Sequence, residues 1–129
     1  MIEIPVAWGE LVDKITILEI KCERIDDPGK IRNVRRELDL LAARLGSHAD
    51  APELGERVDA LRRVNRALWN IEDEIRLCED AGEFGARFIE LARAVYVTND
   101  RRAALKREIN ILLQSDIIEE KSYQSYKRR

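Results

Sequence analysis

The sequence predicts an all-α protein, an antiparallel helical bundle of four main helices followed by a short C-terminal helix. Three observations predict it. The 129 residues are 45% hydrophobic and 37% charged, and they are rich in Leu, Ala, Glu, Arg and Ile, as in long helices with charged outer faces. Apolar residues recur at three- and four-residue spacing, and turn residues interrupt that spacing. The length predicts a single helical domain over residues 1–129.

The first two helices are predicted to be short. The first begins near Ala7 or Trp8, and its apolar residues occupy more than one face, which is typical of a helix at the centre of a bundle. The segment 26–28, Asp-Asp-Pro, predicts a stop, a cap and the first turn of the next helix. The second helix has one narrow apolar seam, ends at Gly46 and is followed by a predicted loop over residues 47–49.

The third and fourth helices are predicted to be long and to form a hairpin. Asp50 is a candidate N-cap, with Pro52 in the first turn. The apolar repeat then continues almost to Gly82, which gives a helix of about 29 residues and ~43 Å. The fourth helix is predicted over residues 84–113, and the short connection implies an antiparallel pair.

The C-terminal region carries a weaker helix signal. Ser115 and Asp116 predict the start of a short last helix, because Glu119 lies three positions after Asp116 as in a capping box. We expect the remaining tail to be irregular and to pack Tyr123 and Tyr126 against the bundle.

Polar residues interrupt the apolar seams at one level of the predicted hairpin. A turn centred on residue 82 places Asn65 opposite Asn99, with Arg102 close to Asn65. Glu72 shares a flank of the third helix with Asn65, and Lys14 borders the apolar first helix. We therefore predict a polar site between the helices formed by these five side chains. Such a layer either fixes helix register, as buried Asn does in coiled coils, or lines a ligand pocket, and both interpretations stay open.

The sequence lacks the residue patterns that other kinds of functional site require. The single histidine, His48, lies in a polar loop, so no nucleophile and base pair is predicted. Cys22 and Cys78 have no CxxC spacing and fall on apolar seams, which predicts free thiols in a reducing, cytoplasmic setting. No glycine-rich phosphate loop is present. We predict no catalytic residue, no metal and no cofactor.

The charge pattern limits the partners. The net charge is −2, from 23 basic and 25 acidic residues, and the two signs are interleaved, so we expect no nucleic-acid footprint. The exception is the basic tail 127–129. With Lys121 and the two tail tyrosines it forms a nucleic-acid alternative that would give salt-sensitive binding. No apolar stretch approaches 18 residues, so no membrane span is predicted.

Four stretches of the chain together resemble a known family. They are residues 9–21 (GELVDKITILEIK), 68–75 (LWNIEDEI), 88–96 (FIELARAVY) leading into Thr98-Asn99-Asp100, and 119–123 (EEKSY). Together they resemble a family of small bacterial proteins of unknown function. The resemblance implies an all-helical fold and a bacterial, cytoplasmic setting, and it implies no activity, cofactor or catalytic residue.

The leading functional hypothesis is a non-enzymatic helical module that binds itself or a partner protein. Helices of ~43 Å exceed the ~27 Å that the first and second helices can cover, and an uncovered apolar seam needs a partner, of which a homodimer is the simplest. The alternative is a small-molecule binder or enzyme that uses the polar site between the helices. All-helical folds such as chorismate mutases and nucleotide pyrophosphohydrolases place Arg, Lys and Glu in this manner, which is an analogy of fold alone.

Overall fold

The computed structural model describes residues 1–126, and α-helices dominate it. They are α1 (Trp8–Arg24), α2 (Pro28–Leu45), α3 (Pro52–Ala81) and α4 (Ala86–Leu112), with a short 3-10 turn, Gly46–Asp50, between α2 and α3. No strand occurs within residues 1–126. The all-α fold with four main helices is therefore confirmed, and both long helices run without a break.

The helix ends follow from local chemistry. The Asp27 carboxylate accepts a hydrogen bond of 2.9 Å from the backbone N–H of Lys30, and Pro28 occupies the first turn, so α2 is capped as the sequence predicts. Gly46 and Gly82 have φ angles of 55° and 67°. This left-handed region favours glycine, and these two residues end α2 and α3.

Two local predictions are wrong. Asp50 does not cap α3, because it lies in the 3-10 turn that replaces the predicted loop, and Ala51 occupies the N-cap position without a side-chain cap. The short C-terminal helix is absent from the described part of the tail, residues 113–126. The Ser115 hydroxyl accepts a hydrogen bond of 3.2 Å from the backbone N–H of Trp8 and donates one of 2.7 Å to the Ile117 carbonyl oxygen. Ser115 therefore connects the tail to α1 and does not cap a helix.

The core lies where α1 packs against the α3–α4 hairpin. Leu11, Val12 and Ile15 of α1 join buried side chains of the other helices, namely Leu45, Leu54, Leu61 and Ile109. Helix α2 runs back along α1 and adds half-buried leucines to the same cluster. Eight of the 17 residues of α1 are buried, so α1 has the central position that its broad apolar surface predicts.

Helices α1 and α4 approach each other closely at Gly9. The Gly9 N–H donates to Asn110 Oδ1 at 2.6 Å, and a Cβ atom at this position would collide with the backbone carbonyl oxygen of Lys106. Glycine therefore sets the spacing of these helices.

The far end of the α3–α4 hairpin extends beyond α1. Arg24, the last residue of α1, donates to Asn70 Oδ1 at 3.0 Å, so α1 ends at the level of Asn70. Helix α3 continues to Ala81, which is about 16 Å further at 1.5 Å per residue. We call residues 71–97 the distal hairpin. Among the described residues, no helix has both the length and the apolar composition that crossing a bilayer requires.

Candidate functional site

A buried aspartate joins three helices at the centre of the molecule. Asp13 lies on the inner face of α1 and is 1% exposed. One of its carboxylate oxygens, Oδ1, accepts hydrogen bonds from Asn65 Nδ2 at 2.9 Å and from Arg102 Nε at 3.0 Å. The other, Oδ2, accepts a hydrogen bond from Nη2 of Arg102. The result is a forked arginine–carboxylate pair, the strongest geometry for such a contact.

Thr16 and Asn65 complete the buried network. The Thr16 hydroxyl is fully buried; it donates to the Asp13 carbonyl oxygen at 2.8 Å and accepts from Asn65 Nδ2 at 2.9 Å. The Asn65 amide group therefore donates to α1 at two points, one for each of its N–H bonds. Buried polar groups cost stability unless they are hydrogen-bonded, and here both oxygens of the Asp13 carboxylate are hydrogen-bonded.

Lys106 adds a second positive charge. Its Nζ lies 2.7 Å from Glu10 Oε2, 3.3 Å from Glu119 Oε2 and 3.9 Å from Asp13 Oδ2. The side chain is 12% exposed. We call Asp13, Thr16, Asn65, Arg102 and Lys106 the Asp13 layer. Two carboxylates of α1 and two cations of α4 thus meet one helical turn apart, which fixes how α1 and α4 align.

Asp13 also affects the protonation of Arg102. The hydrogen bonds to Asp13 raise the pKa of Arg102 above its ordinary value, although desolvation of the guanidinium acts in the opposite direction. Because the ordinary pKa of arginine is already far above neutrality, Arg102 stays charged at every pH at which the protein is folded. The pair is a permanent electrostatic contact between α1 and α4, and Arg102 cannot serve as a general base at neutral pH.

Three of the five predicted site residues belong to one hydrogen-bonded group, and a fourth, Glu72, lines a cavity beside it. Asn65 and Arg102 both donate hydrogen bonds to the Asp13 carboxylate, and Asn99 Oδ1 lies 3.5 Å from Arg102 Nη1. Glu72 is exposed and forms an ion pair with Arg76 at 3.6 Å. Lys14 is exposed on the outer side of α1.

Sequence reasoning did not place Asp13, Thr16 or Lys106 in the site. One signal was available, because Gly9, Asp13, Thr16 and Ile20 repeat at three- and four-residue spacing beside the apolar seam of α1. That spacing puts an aspartate on a face that is otherwise apolar or small. In a chain with 25 acidic residues, the sequence does not distinguish an aspartate at this position from the carboxylates on solvated faces.

Two cavities flank Arg102. The smaller, of about 410 Å³, lies beside Trp69 and is also lined by Asn65, Glu72, Asn99 and Arg102. The larger, which we call the groove, has a volume of about 1110 Å³ and lies between α4, the start of α1 and the C-terminal tail. Asn99 and Arg102 line both spaces, so they form the wall between them.

The remaining candidate groups lie outside the Asp13 layer. His48 packs against the Trp8 ring at a centroid distance of 4.6 Å, and its Nδ1 lies 3.2 Å from the Leu45 carbonyl oxygen. Over residues 1–126, no group of three or more His, Cys, Asp and Glu side chains is placed to hold a metal ion. The basic residues 127–129, which belong to the nucleic-acid alternative, lie outside the described residues.

The fold and the Asp13 layer define a small all-α protein in which a buried aspartate joins α1 to a long helical hairpin. Residues 2–127 match DUF6165, which is described as a family of unknown function, and the chain belongs to that family. The expectation that the chain belongs to a family of small proteins of unknown function is thereby confirmed. Comparison with curated proteins gave no match, and comparison with solved structures gave none.

Proposed function

We propose that this protein is a non-enzymatic interaction module that forms a homodimer through the distal hairpin. The observation that carries the proposal is the length of hairpin that α1 leaves uncovered beyond Asn70. Two helices packed only on each other keep large apolar surfaces in water, and a partner that buries them gains roughly 25 cal/mol per Å².

Exposed apolar side chains occur along the distal hairpin. Leu77 is 68% exposed, Phe84 54% and Ile89 55%. Half-buried residues such as Ile71 and Phe88 accompany them, and the rings of Phe84 and Phe88 form an edge-to-face pair at 5.3 Å. Aromatic and aliphatic anchors of this kind are typical of protein interfaces.

Charge complementarity favours a second copy as the partner. Within the distal hairpin, residues 72–83 contain six carboxylates and one arginine, whereas residues 86–97 of α4 contain two arginines and one glutamate. In a twofold contact the same patch meets itself with its direction reversed, so α3 of one copy can lie along α4 of the other. Acidic α3 then faces basic α4 twice, which selects this pairing over the contact of like helices.

The hydrogen bonds of the Asp13 layer support a structural role for the buried polar groups, as the non-enzymatic proposal requires. The Asp13 carboxylate is occupied by Asn65 and Arg102, which suits a contact that fixes the alignment of α1 on the hairpin. We further propose a bacterial cytoplasmic setting. It rests on the family resemblance and on the thiols of Cys22 and Cys78, which are free and suit a reducing compartment.

The test of the homodimer is a double variant in the distal hairpin, Leu77→Glu with Ile89→Glu, examined by sedimentation velocity and circular dichroism. Both side chains are more than half exposed, so the fold tolerates the change while a buried interface does not. We expect dissociation to monomers with unchanged helix content. Leu40→Glu is the matched control, because Leu40 is 43% exposed and lies on α2, away from the hairpin. A double variant as dimeric as the control would contradict the proposal.

A second candidate function is small-molecule binding in the smaller cavity. Its supporting observation is that Asn65, Glu72, Asn99 and Arg102, four of the five predicted site residues, line that space of about 410 Å³. A volume of this size is within the range of ligand pockets. A ligand at this site would raise the melting temperature by mass action. The shift would be lost in Glu72→Ala and kept in Lys14→Ala, whereas the homodimer predicts no such pattern.

A further inference from the structure

The C-terminal tail, residues 113–126, folds back along α4. Gln114 reverses the chain with a φ of 52°. Glu120 then pairs with Arg107 at 2.9 Å, and the Tyr126 hydroxyl donates to Asp100 Oδ2 at 2.6 Å. As residue numbers rise along the tail they fall along α4, so the tail runs antiparallel to the helix and forms one side of the groove.

The groove combines an aromatic and apolar wall with basic groups. Tyr96, Tyr123 and Tyr126 line it together with Val95 and Ala103. The rings of Tyr96 and Tyr126 already form an edge-to-face pair at 5.1 Å, which is a favourable arrangement for a further ring. The basic groups are contributed by Arg102, Lys106, Arg107 and Lys121.

One point in the groove already holds an anion. The Glu119 carboxylate lies between two ammonium groups, with Lys121 Nζ 2.6 Å from Oε1 and Lys106 Nζ 3.3 Å from Oε2. The hydrogen bond from Lys121 and the charge of Lys106 lower the pKa of Glu119 below its ordinary value. The tail therefore supplies its own carboxylate to a site that binds negative charge.

Glu119 is held weakly enough to be replaced. Its side chain is 43% exposed and that of Lys121 is 42% exposed, and ion pairs at such positions contribute little to stability. By contrast, the other carboxylates of the groove have partners on the helical body or on the far end of the tail: Glu10 pairs with Lys106, and Asp100 accepts from Tyr126.

We propose that the groove binds a small aromatic anion whose acid group takes the place of Glu119 between Lys106 and Lys121. The ring of the ligand packs against the tyrosines, and the tail covers it. The groove volume of about 1110 Å³ is slightly above the usual range for small-molecule sites, so a ligand of one to three rings fits with the tail in place. Glu119 is the built-in competitor of the ligand. This site shares Val95 and Tyr96 with the distal hairpin, but Leu77 and Ile89, which the test of the homodimer replaces, do not line it.

The experiment uses the full chain and the fluorescent probe 8-anilinonaphthalene-1-sulfonate, an aromatic sulfonate whose emission rises in apolar surroundings. We expect saturable binding of one probe per chain in the folded protein and competition by inorganic phosphate. Glu119→Gln should tighten binding by roughly three- to tenfold, because it frees the Lys121 ammonium group and removes one of the carboxylates that pair with Lys106, and Lys121→Gln should weaken binding by a similar factor. Opposite signs are the distinctive result, since general loosening of the tail would move both variants in the same direction.

Two control variants complete the experiment. Glu120→Gln removes a neighbouring tail carboxylate that pairs with Arg107 instead, and it should change affinity less than twofold. Leu77→Glu with Ile89→Glu should leave probe binding unchanged, which separates this site from the proposed homodimer. Absence of saturable binding, equal shifts in Glu119→Gln and Lys121→Gln, or loss of binding in the hairpin variant would each overturn the proposal.

Discussion

Separating α1 from the α3–α4 hairpin is costly mainly because it would leave the Asp13 carboxylate without its partners. Two cations of α4 and an amide of α3 lie around it. Desolvating a charge is expensive, so a buried pair adds little net stability while it is intact, but the loss of one partner is costly. The layer therefore acts mainly by making other alignments of α1 unfavourable, because a shift by one residue would leave both Asp13 and Arg102 without their partners.

Replacing Asp13 with alanine should lower the free energy of unfolding by about 3 kcal/mol. This value is at the low end for buried pairs because the Arg102 side chain is 29% exposed and can partly rehydrate. Urea denaturation followed by circular dichroism measures the change. Glu23→Gln is the control, since its carboxylate pairs with Arg66 on the surface between the same two helices, α1 and α3, and its midpoint should match wild type. A loss below about 1 kcal/mol in Asp13→Ala would mean that the layer is a minor contact.

Gly9 allows a matched pair of glycine substitutions with opposite signs. Gly9→Ala should destabilise the fold by about 1–3 kcal/mol, because the added methyl group meets the Lys106 carbonyl and forces α1 away from α4. Gly55→Ala should stabilise it by about 0.5–1 kcal/mol, because nothing lies within 4 Å of its Cβ position in helix α3. Thermal unfolding of both variants decides this, and equal shifts of one sign would refute the close approach at Gly9.

Residue types alone could not identify the buried carboxylate. Asn65, Asn99 and Arg102 were predictable because they interrupt the apolar seams of α3 and α4. Asp13 and Glu10 have equivalent spacing on α1, yet Asp13 is 1% exposed and Glu10 is only partly buried. The difference depends on which side of α1 faces α4, and the close approach of Gly9 to the Lys106 carbonyl is a tertiary contact that residue types alone do not give.

At the scale of the elements, the helices were predictable and the tail was not. Periodicity and the signals at Asp27, Gly46 and Gly82 gave the helix ends to within a few residues. The capping pattern at residues 115–119 failed because the tail side chains contact α1 and α4 instead, as the Ser115 contact with Trp8 and the Glu119 contact with Lys106 illustrate. A short helix has little stability of its own, so these tertiary contacts decide the conformation of the tail.

The tail should loosen in acid before the helices do. The pKa of Glu119 is lowered in the folded protein. Its contribution is therefore complete above the ordinary glutamate pKa, near 4.3, and is lost as the pH falls through the lowered value. Heteronuclear NOE values from amide NMR should show residues 117–126 becoming mobile only as the pH falls below the ordinary glutamate pKa of about 4.3, while the amides of α3 stay rigid in the same spectra.

Glu119→Gln provides the reference for this titration. It removes the titrating carboxylate but leaves the contacts of Glu120 with Arg107 and of Tyr126 with Asp100, so the tail should stay ordered at neutral pH and should respond less to acid. The ion pair of Glu120 with Arg107 leaves a residual response in the variant. A wild-type tail that stays as ordered as α3 until the whole protein unfolds would show that Glu119 does not hold it.

At the scale of the whole molecule, the length mismatch between helices was visible in the sequence, and its consequence is the uncovered distal hairpin. The 30 residues of α3 and 27 of α4 exceed the 17 of α1, so coverage ends near Asn70. The apolar surface beyond that level and the opposite charges of α3 and α4 support a second copy as its cover. Which side of the hairpin is exposed could not be predicted, because it depends on the side against which α1 packs.

The most direct test is the mass of the wild-type chain in solution, measured by sedimentation velocity from low to high micromolar concentration. The proposed homodimer predicts a species of twice the 15.0 kDa chain mass that becomes dominant as concentration rises. Because acidic α3 faces basic α4, high salt should weaken it. A sedimenting mass of 15.0 kDa at every concentration and salt condition would contradict the proposed homodimer.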